Sequence, residues 1–207
     1  MIQSYPVMLH LNGKKVVVVG GGKIAERKVI GLLESHAEVW VISPEVTGRL
    51  SDLALEGRIH WQQKTFSSDD TEGAFMVFAA TNNKDVNLAV KTAVGEDRLV
   101  LIVDDPQQST FHVPAVLQRS RLCIAVSTNG ASPTLSKNIR DQLADEFDEG
   151  YESYLDFLFA ARELILEEVQ DPFLKNKLLK SLVSDHFFKS HNREKELASL
   201  LDQIKEQ

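Results

Sequence analysis

Cysteine is all but absent from this chain: among 207 residues only Cys123 carries a thiol. One thiol excludes an intrachain disulfide and any metal site built from a cysteine cluster, and no resident metal is expected. Long apolar runs are missing as well. No stretch approaches the ~20 consecutive apolar residues that a membrane-spanning helix needs. The opening residues Met1-Ile2-Gln3-Ser4-Tyr5-Pro6 lack a basic segment followed by a long apolar one. No secretory signal is therefore expected, and the cytoplasm is the default location. Positive charge is in deficit, with 23 Lys and Arg against 30 Asp and Glu, a net charge of −7. That balance opposes non-specific binding to nucleic acid, so neither nucleic acid nor membrane is expected as a partner. Internal repeats and low-complexity tracts are also lacking.

What is present is the composition of a globular protein, 43% hydrophobic and 26% charged, with length enough for one large domain or a domain and a smaller one. The charge is unevenly spread. From Asp141 to Asp171 there are eleven acidic residues and one basic residue, Arg162; from Pro172 to Lys195 there are six basic and two acidic. Solvated helix faces account for both stretches. The sharper alternative is that the basic one helps to hold an anion.

Short apolar runs alternate with helical periodicity through the first half. Lys15 to Gly20 is a β-branched run closed by glycine, as expected of a strand buried on both faces of a parallel sheet. Val7 to Leu11 alternates loosely before an Asn12-Gly13 turn and reads as a possible extra strand. Helical spacing from Lys23 to Ser35 and a second run from Glu38 to Ser43 complete a βαβ unit. The alternation continues with a helix over Val46–Glu56, strands over Arg58–Gln62 and Phe75–Ala80, a helix over Lys84–Val94 and a strand over Leu99–Val103. The expected fold class is α/β, an open, mostly parallel, doubly wound sheet.

After Asp104 the pattern changes. Leu122–Ser127 reads as a strand, and Ser132 with Pro133 reads as the cap and first position of a helix running to about Glu149. Three amphipathic helices follow, over Tyr151–Val169, Pro172–Val183 and Asn192–Lys205. The expected division is residues 1–112 for the sheet domain, 113–148 for a middle segment and 149–207 for an all-helical region.

The residues Gly20-Gly21-Gly22-Lys23-Ile24-Ala25 fit G-x-G-x-x-A, following a buried strand and opening a helix. Gly20 permits the tight turn, Gly22 lets backbone approach a pyrophosphate, and the small Ala25 lets helix and strand pack closely. A helix N-terminus offers free N–H groups and partial positive charge to phosphate. One element is missing: no acid ends the second strand to hold a ribose 2′-hydroxyl. Ser43 is placed to bond that hydroxyl, and Glu45 stands past Pro44. The residues leave NAD and NADP open, and the lack of an arginine there argues mildly against a 2′-phosphate.

Four segments together are similar to one family, the precorrin-2 dehydrogenases, also described as the N-terminal half of siroheme synthase. They are Val19-Gly20-Gly21-Gly22-Lys23-Ile24-Ala25-Glu26-Arg27-Lys28, Ala79-Ala80-Thr81-Asn82-Asn83, Val103-Asp104-Asp105-Pro106, and Ala125-Val126-Ser127-Thr128-Asn129-Gly130-Ala131-Ser132-Pro133. The resemblance spans residues 1 to 140. It implies a Rossmann-like domain and NAD-dependent oxidation of precorrin-2 to sirohydrochlorin, toward siroheme or cobalamin. It also implies a homodimer joined through the middle segment. Some members insert ferrous iron at the same site. The family's cofactor contacts fall on Lys23, Ile24, Pro44 and Glu45, beside Gly20, Gly22 and Thr81, and its functional aspartate falls on Asp104. A serine phosphorylated in some members is matched by Thr128, with Ser127 beside it.

Asp104 ends the last buried strand, where open parallel sheets bind ligands. Its carboxylate, if desolvated, suits the proton that leaves precorrin-2 with the hydride. Asp104 and Asp105 also suit a simple turn before Pro106, and the residues alone leave both readings open. His112 is a second acid–base candidate. Cys123 reads as a buried packing residue. A polycarboxylate substrate calls for cations, for which Arg119, Arg121, Lys137 and Arg140 are candidates, with Thr128 alongside. Two competing readings stand: a dehydrogenase that is also a ferrochelatase, and a non-catalytic NAD(H)-sensing module.

Overall fold

The computed structural model describes residues 4–205. The chain divides into two compact units, Met1–Val113 and Pro114–Gln207.

In the first unit, β1 (Lys15–Val19), α1 (Lys23–Glu34), β2 (Glu38–Ile42), α2 (Gly48–Leu55), β3 (His60–Gln62), β4 (Met76–Ala79), α3 (Lys84–Val94) and β5 (Leu99–Ile102) follow in order. The five strands form a parallel sheet in the order β3-β2-β1-β4-β5. The chain winds outward from β1 to β3, then returns to add β4 on β1's other side. The switch point therefore lies between the C-terminal ends of β1 and β4.

The run of valines in β1 explains its central place. Val16 and Val18 join one core with Ala25, Val29, Leu50, Leu53 and Phe78, while Val17 and Val19 join a second with Val77, Val90, Val94 and Val100. A strand buried on both faces needs apolar side chains at successive positions, and β-branched ones fit the pleat. The link from β3 to β4 carries only a 3₁₀ turn, Ser68–Thr71.

Val7–Leu11 is not a strand. Leu11 is buried and joins the core, whereas Val7, Met8 and Leu9 are exposed and the segment pairs with no strand. Its neighbour β1 already has β2 and β4 as partners, so no ladder position is left beside it.

The second unit opens with a hairpin, β6 (Ala115–Arg119) and β7 (Leu122–Val126), antiparallel and joined through Ser120 at φ 46°. β6 escapes sequence reading because its five residues end in Gln118 and Arg119 and show no clean alternation. Helix α4 (Pro133–Glu146) starts on the Ser132 cap as expected, its hydroxyl accepting from Leu135 N at 3.1 Å. It ends sooner than Glu149. Helices α5 (Gly150–Glu168), α6 (Pro172–Leu182), α7 (Asp185–Lys189) and α8 (Arg193–Lys205) complete the unit. Short α7 is an addition to the sequence reading. Tyr154, Phe157, Ile165, Leu178, Leu182, Phe187, Leu197 and Leu201 form the core of these helices.

Cys123 is only half-buried, contrary to the sequence expectation. Its strand belongs to a two-stranded sheet, in which Leu117 is the one fully buried hydrophobic residue among the described residues. Asp156 accepts from Ser120 Oγ at 3.0 Å, and the Arg121 guanidinium lies 3.6 Å over the Phe159 ring.

Candidate functional site

The glycine turn has three residues with three different jobs. A side chain at Gly20, which sits at φ +121°, would place its Cβ 2.4 Å from Ala80 O and 3.2 Å from Thr81 N. Gly20 thus brings the ends of β1 and β4 together at the switch point. At Gly21 a Cβ would stand 2.0 Å from Glu45 O and 2.9 Å from Ser43 Oγ. Gly21 is therefore a packing glycine against the loop after β2. At Gly22 a Cβ would meet nothing within 4 Å. Its φ of −83° and ψ of −174° are open to any residue, so neither strain nor packing calls for glycine there. Space left open on the exposed side of the turn is the cradle a pyrophosphate needs.

The caps of the three helices point the same way. Thr47 caps α2 by accepting from Leu50 N at 3.4 Å, and Asn83 caps α3 by accepting from Asp85 N and Val86 N at 2.9 and 3.3 Å. Gly22 caps α1 with no side chain. The first N–H groups of α1 thus keep no side-chain acceptor, which suits an anion. These residues fit a dinucleotide.

The turn is clamped to the loop after β2. Gly20 N donates to Ile42 O at 3.0 Å, and Thr47 N donates to Gly21 O at 2.9 Å. Thr47 Oγ1 also donates to the Glu26 carboxylate, which pairs with Lys23 Nζ at 3.2 Å. Those bonds, Thr47's first and Lys23's second, hold Glu26 below the usual glutamate range. Lys28, in the same run, is pushed down by partial burial first and by the Arg27 charge second.

Of the expected cofactor contacts, Lys23, Ile24, Pro44 and Glu45 are exposed around this turn. Ser43 is not. It is buried, its hydroxyl donates to Glu45 O at 2.7 Å, and its carbonyl accepts from Trp61 Nε1 at 2.9 Å. Ser43 shapes the loop instead of presenting a free hydroxyl to ribose. Thr81 is similarly engaged: its Oγ1 lies 2.7 Å from Asn87 Oδ1 and 2.9 Å from Asn83 O, and accepts from Asn83 N at 3.1 Å.

The two adjacent acids after β5 separate cleanly. Asp105 is the turn residue. Its Oδ1 accepts from Gln107 N at 3.1 Å and its Oδ2 from Gln108 Nε2 at 2.6 Å, and the Gln108 bond is the first cause of a carboxyl held below its usual range. Asp104 takes no part in that turn. Its Oδ1 accepts from Asn87 Nδ2 at 2.8 Å, the one hydrogen bond of its side chain among the described residues. Beyond the turn, Ser109 Oγ and Thr110 Oγ1 accept from Ile102 N and Val100 N at 2.9 and 2.8 Å. These two hydroxyls cover the open edge of β5 and fix the path of the chain leaving Asp104. Asp104 is exposed, so this unit does not supply the desolvation expected from sequence.

Asn87 is the residue sequence reading missed. It is 1% exposed on α3, on the face that also carries Val90 and Val94. An uncharged polar residue in register with buried valines was the available signal.

His112 lies exposed in the first unit. The remaining candidates lie in the second unit. Thr128 Oγ1 accepts from Ser132 N at 3.0 Å and stands 3.1 Å from Ser136 Oγ, locked into the loop before α4. Arg121 pairs with Asp156 at 3.6 Å and Arg140 with Asp141 at 2.6 Å, so both have local carboxylates. Arg119 is half-buried, and its Nε is a buried atom with no partner among the described residues; Lys137 is exposed. In the basic stretch, Lys175 donates to Leu166 O, Lys189 pairs with Asp185, and Arg193 donates to Phe187 O and Phe188 O. Those partners favour the structural reading of that stretch. No group of three or more His, Cys, Asp or Glu side chains suited to a metal ion occurs among the described residues. No helix among them is long and apolar enough to cross a membrane.

Comparison with known proteins places these features. Residues 7–115 match the family described as "Putative NAD(P)-binding", residues 119–146 the "Sirohaem biosynthesis protein central" family, and residues 151–196 the "SirC C-terminal domain". A protein named siroheme synthase 3, from Aeromonas hydrophila subsp. hydrophila, is 37% identical over 139 residues, which are 67% of this chain and 30% of that protein. The precorrin-2 dehydrogenase of Priestia megaterium is 33% identical over 201 residues, covering 97% of this chain and 100% of that one. A solved structure described as "SirC, precorrin-2 dehydrogenase" superposes with a TM-score of 0.86 at 33% identity, covering 97% of this chain and 100% of the other. With NAD(P)-binding architecture in its first half and similarity along 97% of its length to a relative matched in full, the chain belongs to the precorrin-2 dehydrogenase family.

Proposed function

We propose that this chain oxidises precorrin-2 to sirohydrochlorin with NAD⁺ as hydride acceptor and Asp104 as proton acceptor. The observation that carries the reading is the Asp104 carboxylate, bonded by a buried amide just past the end of β5, two strands along the sheet from the glycine turn. Precorrin-2 loses a hydride and a proton, giving sirohydrochlorin, NADH and H⁺. The nicotinamide, when bound, supplies the hydride-accepting chemistry. The chain supplies the rest. Gly20, Gly22 and the first N–H groups of α1, at Lys23 and Ile24, hold the pyrophosphate. Pro44 and Glu45 face the adenosine ribose, and the Glu45 charge disfavours a 2′-phosphate, hence NAD over NADP. Asp104 takes the proton, and substrate binding over this exposed carboxylate provides the desolvation that the unit lacks. His112 in the first unit, and Arg119, Lys137 and Thr128 in the second, are assigned to contact with the substrate.

The three family matches support a division of labour among a cofactor domain, a middle segment and a helical region, close to residues 1–112, 113–148 and 149–207. The middle segment is assigned to homodimer formation. Its hairpin buries little by itself, Ser136 is the one buried residue of α4, and a lone two-stranded hairpin is marginal in water. Light scattering should give twice 23.2 kDa; a monomer at all concentrations overturns the assignment. A need for NAD⁺ supports a cytoplasmic location.

The deciding experiment is anaerobic incubation with precorrin-2 and NAD⁺. NADH and sirohydrochlorin should appear together, and Asp104→Asn should slow turnover by about 100-fold or more, the scale of a lost general base. No NADH formation by a protein that still binds NADH would overturn the enzyme reading in favour of a sensing module. Ferrous ion added to sirohydrochlorin tests whether metal insertion accompanies the oxidation.

A further inference from the structure

We infer that Asn87 is the positioning residue of Asp104: its buried amide holds one carboxylate oxygen and leaves the other to receive the proton. The inference rests on the proton-acceptor role proposed above for Asp104.

The amide's orientation follows from its partners. Asn87 Oδ1 faces Thr81 N at 3.3 Å and Thr81 Oγ1 at 2.7 Å, while Nδ2 faces Thr81 O at 3.2 Å and Asp104 Oδ1 at 2.8 Å. A backbone N–H can only donate and a backbone carbonyl can only accept. The oxygen must therefore lie on the Thr81 N side, and Asp104 meets the NH₂ group.

Two of these contacts have an ordinary structural use. Thr81 N and O lie past the end of β4, and a buried backbone group without a partner is costly. The bond to Asp104 satisfies the second N–H of the buried amide, but Asp104 itself does not need it. Asp104 is exposed, and water would satisfy its carboxylate. What the bond removes is freedom of the carboxylate to turn. Asp105 shows the contrast, with both oxygens engaged in its own turn, whereas Asp104 keeps Oδ2 without a partner among the described residues. A carboxylate anchored through one oxygen and open at the other is the form a proton acceptor needs, since transfer requires a reach of about 2.6–3.2 Å.

Asn87 also sets where that open oxygen stands relative to the cofactor side. Thr81 N lies 3.2 Å from where a Gly20 side chain would begin. One amide thereby ties the strand end that abuts the glycine turn to the acid past β5. A displacement of about 1 Å between reacting groups can cost about 100-fold in rate.

The test is a double-mutant cycle on the full chain, with precorrin-2 and NAD⁺ under anaerobic conditions. Asn87→Asp keeps an acceptor for Thr81 N and replaces the donor to Asp104 by a carboxylate. It should lower kcat about 10- to 100-fold, with KM for NAD⁺ within about 2-fold of wild type. Combined with Asp104→Asn it should cost nothing further, because both changes disable one unit. Asn87→Ser, too short to span to Asp104, carries the same expectations if Asn87→Asp does not fold. Asp104→Asn slow but the Asn87 variants at wild-type rate overturns this inference alone. So does an Asn87 loss that multiplies in full onto Asp104→Asn, since a structural defect would persist without the carboxylate. Asp104→Asn at wild-type rate overturns the proton-acceptor reading, and the role of Asn87 with it.

Discussion

Replacing Gly22 by alanine should separate cofactor binding from folding. The site of the new methyl is empty to 4 Å, and the backbone there, at φ −83°, accepts any residue. Two small effects on stability oppose each other. Alanine restricts the unfolded chain, which stabilises by about 0.4–1 kcal/mol. It is also a poorer N-cap than glycine, at a cost of roughly 0.5–1 kcal/mol. The net change stays within about 1 kcal/mol, or about 2–4 °C in Tm for a chain of this size. The same methyl stands where the pyrophosphate must come close to backbone, so Kd for NAD⁺ should rise at least about 10-fold, equivalent to about 1.4 kcal/mol. Gly21→Ala is the control with the opposite outcome. Its methyl would meet Glu45 O at 2.0 Å, so the clamp between the turn and the loop after β2 must open. Overpacking of roughly 1–3 kcal/mol plus about 1 kcal/mol for the Thr47–Gly21 hydrogen bond predicts a loss near 2–4 kcal/mol. Thermal unfolding by circular dichroism and NAD⁺ titration by calorimetry measure the two quantities. Wild-type NAD⁺ affinity in Gly22→Ala, or unfolding as severe as that of Gly21→Ala, would refute the assignment of three separate jobs to the three glycines.

Glu26 is held below the usual glutamate range by Thr47 and Lys23, so its stabilisation is complete above the ordinary value of 4.5 and fades as pH falls through the lowered one. Glu26→Gln should therefore lower Tm at neutral pH and converge with wild type in acid; a Tm difference constant with pH removes the explanation. In the helical core, Tyr154 donates its hydroxyl to Leu182 O at 2.7 Å, and burial is the first cause of a phenol pushed up from its usual range. Tyr154→Phe should cost about 1 kcal/mol in chemical denaturation, and no change in midpoint would show that water replaces the phenol.

Some features were legible in the residues because they are local. Lys84–Val94 matched its helix end to end, and Ser132 with Pro133 marked the start of α4. Periodicity, caps and glycines act within a few residues, and there a chain states its own preferences. The strands of the second unit were harder. β6 is paired only with β7, and a strand held by one neighbour needs no strong apolar pattern.

The order of residues was sufficient for the α/β class, for the glycine turn that opens α1, and for an acid at the end of β5. Residue type by itself did not separate the two acids there, and the choice of Asp104 came from the family resemblance. Asp104 and Asp105 are identical in type and adjacent; a local cap from Gln107 and Gln108 engages one, and only folding brings Asn87, 17 positions away, to the other. Ser43 shows the same limit, since its carbonyl accepts from Trp61 Nε1, which arrives from β3. Hydrogen bonds across the sheet are set by strand order and helix packing, and such distances in space are not written in distances along the chain.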